Sequence, residues 1–246
     1  MTRLLHTGRY MFLAGIVALA ALCIVNKDFI IGRPPAWNFY SSLNPGISQL
    51  AAVVIMLCAI AILFHKKATI AALIIATLIL LLSVTRDLPH FTNDWLNGCK
   101  ALALVGSALI VAASFNSDNI TASKYMLFSG TVLLAVFLIA CGYAHFKFAD
   151  FVKAFIPSYI PFHAFFTYFT AVSLIAGGIG ILIPATKKMA ALLTGVMLTG
   201  WFLLLHIPRF IGNTNDAGDR MGLCESFAFA GIFFVLAAIT SQKPNQ

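Results

Sequence analysis

Charge is what this sequence has least of. Only 10% of its 246 residues are Asp, Glu, Lys or Arg, against 61% hydrophobic. A water-facing surface needs more charge than that, which excludes an ordinary soluble domain. Acidic groups are the scarcer kind, 8 against 16 basic ones, for a net charge of +8. Yet no basic cluster is longer than Lys66-Lys67 or Lys187-Lys188. The excess therefore reads as solvated loop faces and gives no nucleic-acid surface. The cysteines at 23, 58, 99, 141 and 224 include no C-x-x-C pair, which argues against structural zinc and thioredoxin-type chemistry. No two histidines lie three or four residues apart, so no metal site is legible. A phosphate-cradling glycine loop and a serine elbow are missing as well.

What the sequence does have is long apolar runs. About 20 apolar residues cross the hydrocarbon core as a helix. Eight runs qualify: 10–26, 46–64, 68–85, 101–115, 125–144, 164–183, 189–206 and 226–240. They are continuous rather than alternating, whereas a spanning barrel needs alternation with a polar lumen. The expected fold is all-α, a polytopic membrane bundle of eight helices. Arg3 and Arg9 followed by an apolar stretch would pass as a secretory signal. We read the stretch as a first span, because it matches an internal helix and Ala21-Leu22 is a poor lead-in to a lipoprotein cysteine at Cys23.

The halves resemble each other. Arg9-Tyr10-Met11 and Gly15 recur 115 residues later as Lys124-Tyr125-Met126 and Gly130. Leu88-Pro89-His90-Phe91 recurs after 119 residues as Ile207-Pro208-Arg209-Phe210. Cys99-Lys100 and Gly106 meet Cys224-Glu225 and Gly231 at a spacing of 125. The expected organisation is a degenerate four-helix repeat in 1–115, a polar linker in 116–123 and a second repeat in 124–240. An even number of spans per unit makes the repeats parallel, with equivalent residues at equal depth. The two Lys-Lys turns mark the inner side, placing both termini in the cytoplasm.

With that topology, the titratable groups gather at one outer rim. His145 is the first candidate, since an imidazole there can hydrogen-bond a carbonyl headgroup or relay a proton; the alternative is an interfacial histidine wedged among aromatics. His206 precedes a helix-ending Ile207-Pro208, where the helix dipole alone also favours it. Tyr143, Phe146, Phe162, Phe165 and Phe166 are expected to line a lipid-accessible cavity, with His163, Arg209 and Glu225 near its mouth. Arg209 reads equally as a ligand contact or as a side chain snorkelling to lipid phosphate. Lys100 and Glu225 hold equivalent places, so an ion pair across the pseudo-axis would fix the register of the halves. Cys99 and Cys224 match between copies, as a disulfide or redox dithiol or as small packed residues at helix starts, and Cys23, Cys58 and Cys141 look like packing.

Gly142-Tyr143-Ala144-His145-Phe146, the Pro157-Ser158-Tyr159-Ile160-Pro161 turn, Gly177-Gly178-Ile179-Gly180 through Pro184 and then Lys187-Lys188 follow one order. In that order the second half resembles the DoxX-like family of small bacterial four-helix membrane proteins. The resemblance implies an inner-membrane location and a link to membrane redox complexes, since the family includes the small subunit of a thiosulfate:quinone oxidoreductase. Three functions follow from it and from the residues. One is an accessory or anchor subunit beside a membrane or periplasmic protein. Another is a quinone-linked oxidoreductase subunit using His145 or His206. The third, a small-solute transporter, ranks last, because no charge lies near a span midpoint and no span is visibly broken.

Overall fold

The computed structural model describes residues 2–35, 43–116 and 119–240. The chain forms α1 (Thr2–Asn26), α2 (Asn44–Leu63), α3 (Ala68–Asp87), α4 (Trp95–Phe115), α5 (Ile120–Lys147), α6 (Ala149–Phe155), α7 (His163–Leu182), α8 (Lys187–Trp201), α9 (Ile207–Gly212) and α10 (Ala217–Thr240). A 3-10 turn at Leu88–His90 extends α3, and a π-helical turn at Phe202–His206 joins α8 to α9. Among the described residues there is no strand. Eight of these stretches are long and apolar enough to cross a bilayer, with α3 counted through His90 and α8 through Gly212. The protein is an all-α, multi-pass membrane bundle.

Local chemistry sets the helix ends. Asn119 caps α5, its side chain accepting from the Ala122 N–H. Pro45 sits in the first turn of α2, where a missing N–H costs nothing. Pro208 explains the break in the seventh span. Its ring cannot coexist with an α-helical carbonyl four residues back, at Leu204, and the helix widens there into the π turn. The freed Leu204 carbonyl accepts the hydroxyl of Tyr159, from the proline-framed turn. The expected end of the seventh helix at Ile207-Pro208 is corrected at this point: the span runs on through the π turn to Gly212. A second correction concerns α10, which begins at Ala217 rather than near 226. Glu225 therefore lies about two turns inside the span, deeper than the place just inside it that the sequence suggests.

The packing has one order in both halves. α1 lies on α10 and α5 on α4; α3 packs on α4 as α8 packs on α10; α4 and α10 meet each other. The spans α4 and α10 are 72% buried and α8 only 22%, which makes the fourth and tenth helices the centre of the bundle. α2, α3, α7 and α8 present Leu57, Ile74, Val172 and Leu193 outward, as a lipid-facing shell requires. Glycines allow the closest approaches. A methyl on Gly8 would stand 2.6 Å from the Gly231 carbonyl, and one on Gly130 would stand 2.5 Å from the Gly106 carbonyl. Gly8 thus stands to Gly231 as Gly130 stands to Gly106.

The halves differ at the helix ends away from the two Lys-Lys turns. In the first, the chain after α1 drives Phe29 and Ile31 into the bundle, both with no exposed surface. Arg86, 1% exposed, holds it there. Its Nη1 donates to Asp28 Oδ1 at 2.8 Å and to the Phe29 carbonyl at 2.7 Å, and Nη2 to the Pro35 carbonyl at 2.8 Å. In the second half, α6 and the proline turn form a separate small apolar cluster of Ile156, Ile160 and Leu205. That lid leaves space beneath it.

Candidate ligand cavity

The space is a cavity of about 360 Å³ among α5, α6, α7, α8 and α10, within the usual range of small-molecule sites. Along α7 it runs from Phe166 to Leu174, about 12 Å along the helix. Its walls are mostly apolar, with Phe137, Phe148, Phe155, Phe166, Trp201 and Phe229 the aromatic part among aliphatic neighbours such as Leu138, Leu174 and Leu198. On α5 the lining residues Phe137, Cys141, Ala144, His145 and Phe148 recur at helical spacing, which puts them on one face.

The cavity is not uniformly apolar. Arg33, Lys100, Glu225, Ser226 and His206 line one part of it, and Thr167 and Thr170 another. Arg33 arrives from the loop after α1, turned inward by two successive left-handed residues, Gly32 (φ 81°) and Arg33 itself (φ 58°). For an arginine that conformation is uncommon. Its Nη2 donates to the Gly218 carbonyl at 2.8 Å. Arg33 Nε and Lys100 Nζ both reach Glu225 Oε2, at 3.4 and 3.2 Å. The expected Lys100–Glu225 pair thus forms, with Arg33 as an additional member.

Several polar atoms here are left over. Glu225 Oε1, His206 Nδ1, Thr167 Oγ1 and Thr170 Oγ1 are buried and make no hydrogen bond. A threonine inside a helix ordinarily satisfies its hydroxyl on a carbonyl one turn back. Thr131 and Thr199 do so, on Leu127 and Gly195 at 2.7 and 2.8 Å; Thr167 and Thr170 do not. Unsatisfied buried groups cost roughly 1–3 kcal/mol each, so their gathering around one cavity marks a place for a polar ligand group. His145 is half-satisfied. Its Nδ1 lies 2.8 Å from the Cys141 carbonyl; because a carbonyl only accepts, Nδ1 carries the hydrogen and a neutral ring keeps Nε2 as an acceptor.

Of the residues singled out in sequence, His145, His206, Glu225 and Phe166 line this cavity together. Tyr143 does not: it is exposed on the opposite side of α5, 6.0 Å ring to ring from Trp95. Phe146 is turned outward too, stacked on Tyr168 at 5.8 Å, and Phe162 and Phe165 are exposed. Tyr143, Phe146 and Phe165 each lie one residue from a lining position, a step of about 100° around a helix that carries them off that face. His163 and Arg209 border a different, more open depression around Lys153 and Pro157. Arg209 is occupied there, donating to Asp219 Oδ1 at 2.8 Å and to the Phe155 carbonyl at 3.1 Å, with its guanidinium 3.6 Å over the Phe155 ring. His163 Nε2 lies 3.2 Å from the Pro157 carbonyl. Cys141, expected as packing, packs against the core and also borders the cavity. All five cysteines are free thiols. Among the described residues no three His, Cys, Asp or Glu converge as a metal site.

Sequence reasoning missed Arg33, Thr167, Thr170 and Trp201. The signal for the threonines was present, as two hydroxyls three residues apart in an aromatic run, hence on one face. Nothing local points to Arg33, whose contacts lie 185 or more residues away.

Residues 134–209 match the model of a family described as a domain of unknown function, DUF8561. The matched stretch contains His145, Thr167, Thr170, Trp201 and His206 and leaves out Arg33, Lys100 and Glu225. No curated protein and no solved structure matches the chain.

Proposed function

We propose that this protein is a ligand-binding accessory subunit of the bacterial inner membrane, holding a lipid-soluble molecule in its second half and working beside a membrane or periplasmic partner. The observation that carries the reading is the set of unpaired buried groups on Glu225, His206, Thr167 and Thr170 around an aromatic cavity. Aromatic walls suit a chain or ring, and the unpaired groups suit its head. We propose further that the chain is an internally duplicated DoxX-like protein with parallel repeats and cytoplasmic termini. The matching neighbours of α1 and α5, and of α4 and α10, support the duplication. In this reading the first half has sealed its site with Phe29 and Ile31, and the second keeps it open.

The test is purification in native lipid, followed by mass spectrometry of bound small molecules and companion chains. One lipid-soluble molecule and one partner per chain is the expected result; an empty, partnerless protein overturns the reading.

A second reading, a quinone-linked redox subunit, is favoured by one further observation: His145 and His206 border the same cavity. Both are placed to exchange protons with a quinone head. His145→Ala should then remove quinone-linked electron transfer while leaving the thermal transition in place. Unchanged activity in that variant would refute the role.

A further inference from the structure

We infer that the ligand of the cavity is a long-chain carboxylate, whose head sits at the Arg33–Lys100–Glu225 cluster. This rests on the reading of the cavity as a lipid-soluble ligand's site and narrows the ligand's chemistry.

The inference follows from charge balance. Arg33 and Lys100 approach the same oxygen of one carboxylate, Glu225 Oε2. Asp219 is engaged by Arg209 at 2.8 Å and Asp28 by Arg86, while Asp216, across Gly218 from Arg33, accepts the Asp219 N–H at 2.7 Å. Two cations therefore share a single counter-charge. Arg33 is ionised at any accessible pH, and Lys100 Nζ stands 3.2 Å from the same Glu225 oxygen, in a carboxylate that is 4% exposed. One positive charge is left over at the end of an aromatic cavity.

A surplus charge next to apolar walls is costly unless a counter-ion joins it. A monoanion closes the balance. A phosphate monoester, at about −1.5 to −2 near neutral pH, overshoots it, and a neutral head leaves the surplus in place. The walls select what carries the anion. Phe137, Phe148, Phe155, Phe166 and Trp201 offer no partner to a small hydrated ion, whereas an alkyl chain buries against them. Glu225 Oε1, which only accepts, remains available to a water beside the head.

The experiment is calorimetric titration of the full-length protein in detergent with dodecanoate, dodecanol, dodecyl phosphate and a short-chain benzoquinone. Dodecanoate is expected to bind at least tenfold tighter than dodecanol. Lys100→Met leaves Arg33 and Glu225 balanced, and should abolish that ratio while leaving dodecanol binding as it was. Glu225→Gln, which raises the surplus to two, should shift the preference toward dodecyl phosphate. A general loss of packing would weaken every probe together and could not produce these opposite shifts. Equal binding of dodecanol or benzoquinone and dodecanoate, a preference for dodecyl phosphate in the wild type, or a ratio that survives Lys100→Met overturns the carboxylate assignment and leaves the lipid-soluble site standing. Failure of all four probes to bind overturns both.

Discussion

Arg86 carries the closure of the first half on one guanidinium, which ties Asp28 to the carbonyls of Phe29 and Pro35. Removing one partner of such a pair leaves a buried charge uncompensated. Asp28 is a third exposed, which lowers the cost. Asp28→Asn should lower stability by about 2 kcal/mol, read as the thermal midpoint in detergent. Burial alone would raise the Asp28 carboxyl, but hydrogen bonds from Arg86 and Asn44, the Arg86 charge and the Phe29 N–H hold it below the usual carboxylate range. A folded value below the unfolded one means that its contribution is full at neutral pH. It is lost as pH falls from about 4 through the lowered folded value. Wild-type midpoints should therefore drop on acidification below about pH 4, and the gap between wild type and Asp28→Asn should narrow. A gap that stays constant would show that the carboxylate does not set this dependence.

Among the elements, the tightest tests lie where backbones touch. Gly130→Ala would place a methyl 2.5 Å from the Gly106 carbonyl and 2.7 Å from Ile110 Cγ1. Separation of α4 from α5 should cost about 1–3 kcal/mol. Gly200→Ala meets nothing within 4 Å and should be neutral or gain up to about 1 kcal/mol of helix propensity. Thermal midpoints that rank the two the other way would contradict the packing of α4 on α5. The broken span is a separate case. Tyr159→Phe withdraws the donor from the Leu204 carbonyl beside Pro208 and should cost about 1 kcal/mol. Eight spans were legible because a continuous apolar run of about 20 residues has few other folded fates. The start of α10 was not, because Asp219 and Glu225 break the hydropathy while Arg209, Lys100 and Arg33 neutralise them from far along the chain. Tyr143 and Phe146 were misplaced for a simpler reason. Aromaticity was weighed ahead of the 3.6-residue period that puts Cys141, His145 and Phe148 on the other face.

At the scale of the whole molecule, a central pair of helices, α4 and α10, is flanked by α5 and α1, and the outer helices face lipid. The Lys66-Lys67 and Lys187-Lys188 turns share one side, and α6 with the proline turn lies on the other. Single cysteines at Lys188 and Asp150 test the orientation against the parent background. With cytoplasmic termini, an impermeant maleimide should label Asp150→Cys in intact cells, and Lys188→Cys only after permeabilisation; the reverse pattern would invert the topology. The most direct test of the ligand cavity is native mass spectrometry of the wild type beside Thr170→Phe, which fills the cavity from its wall. The wild type should retain one lipid-soluble molecule per chain and Thr170→Phe should lose it while keeping its thermal transition; equal occupancy in the two would contradict the cavity as the binding site.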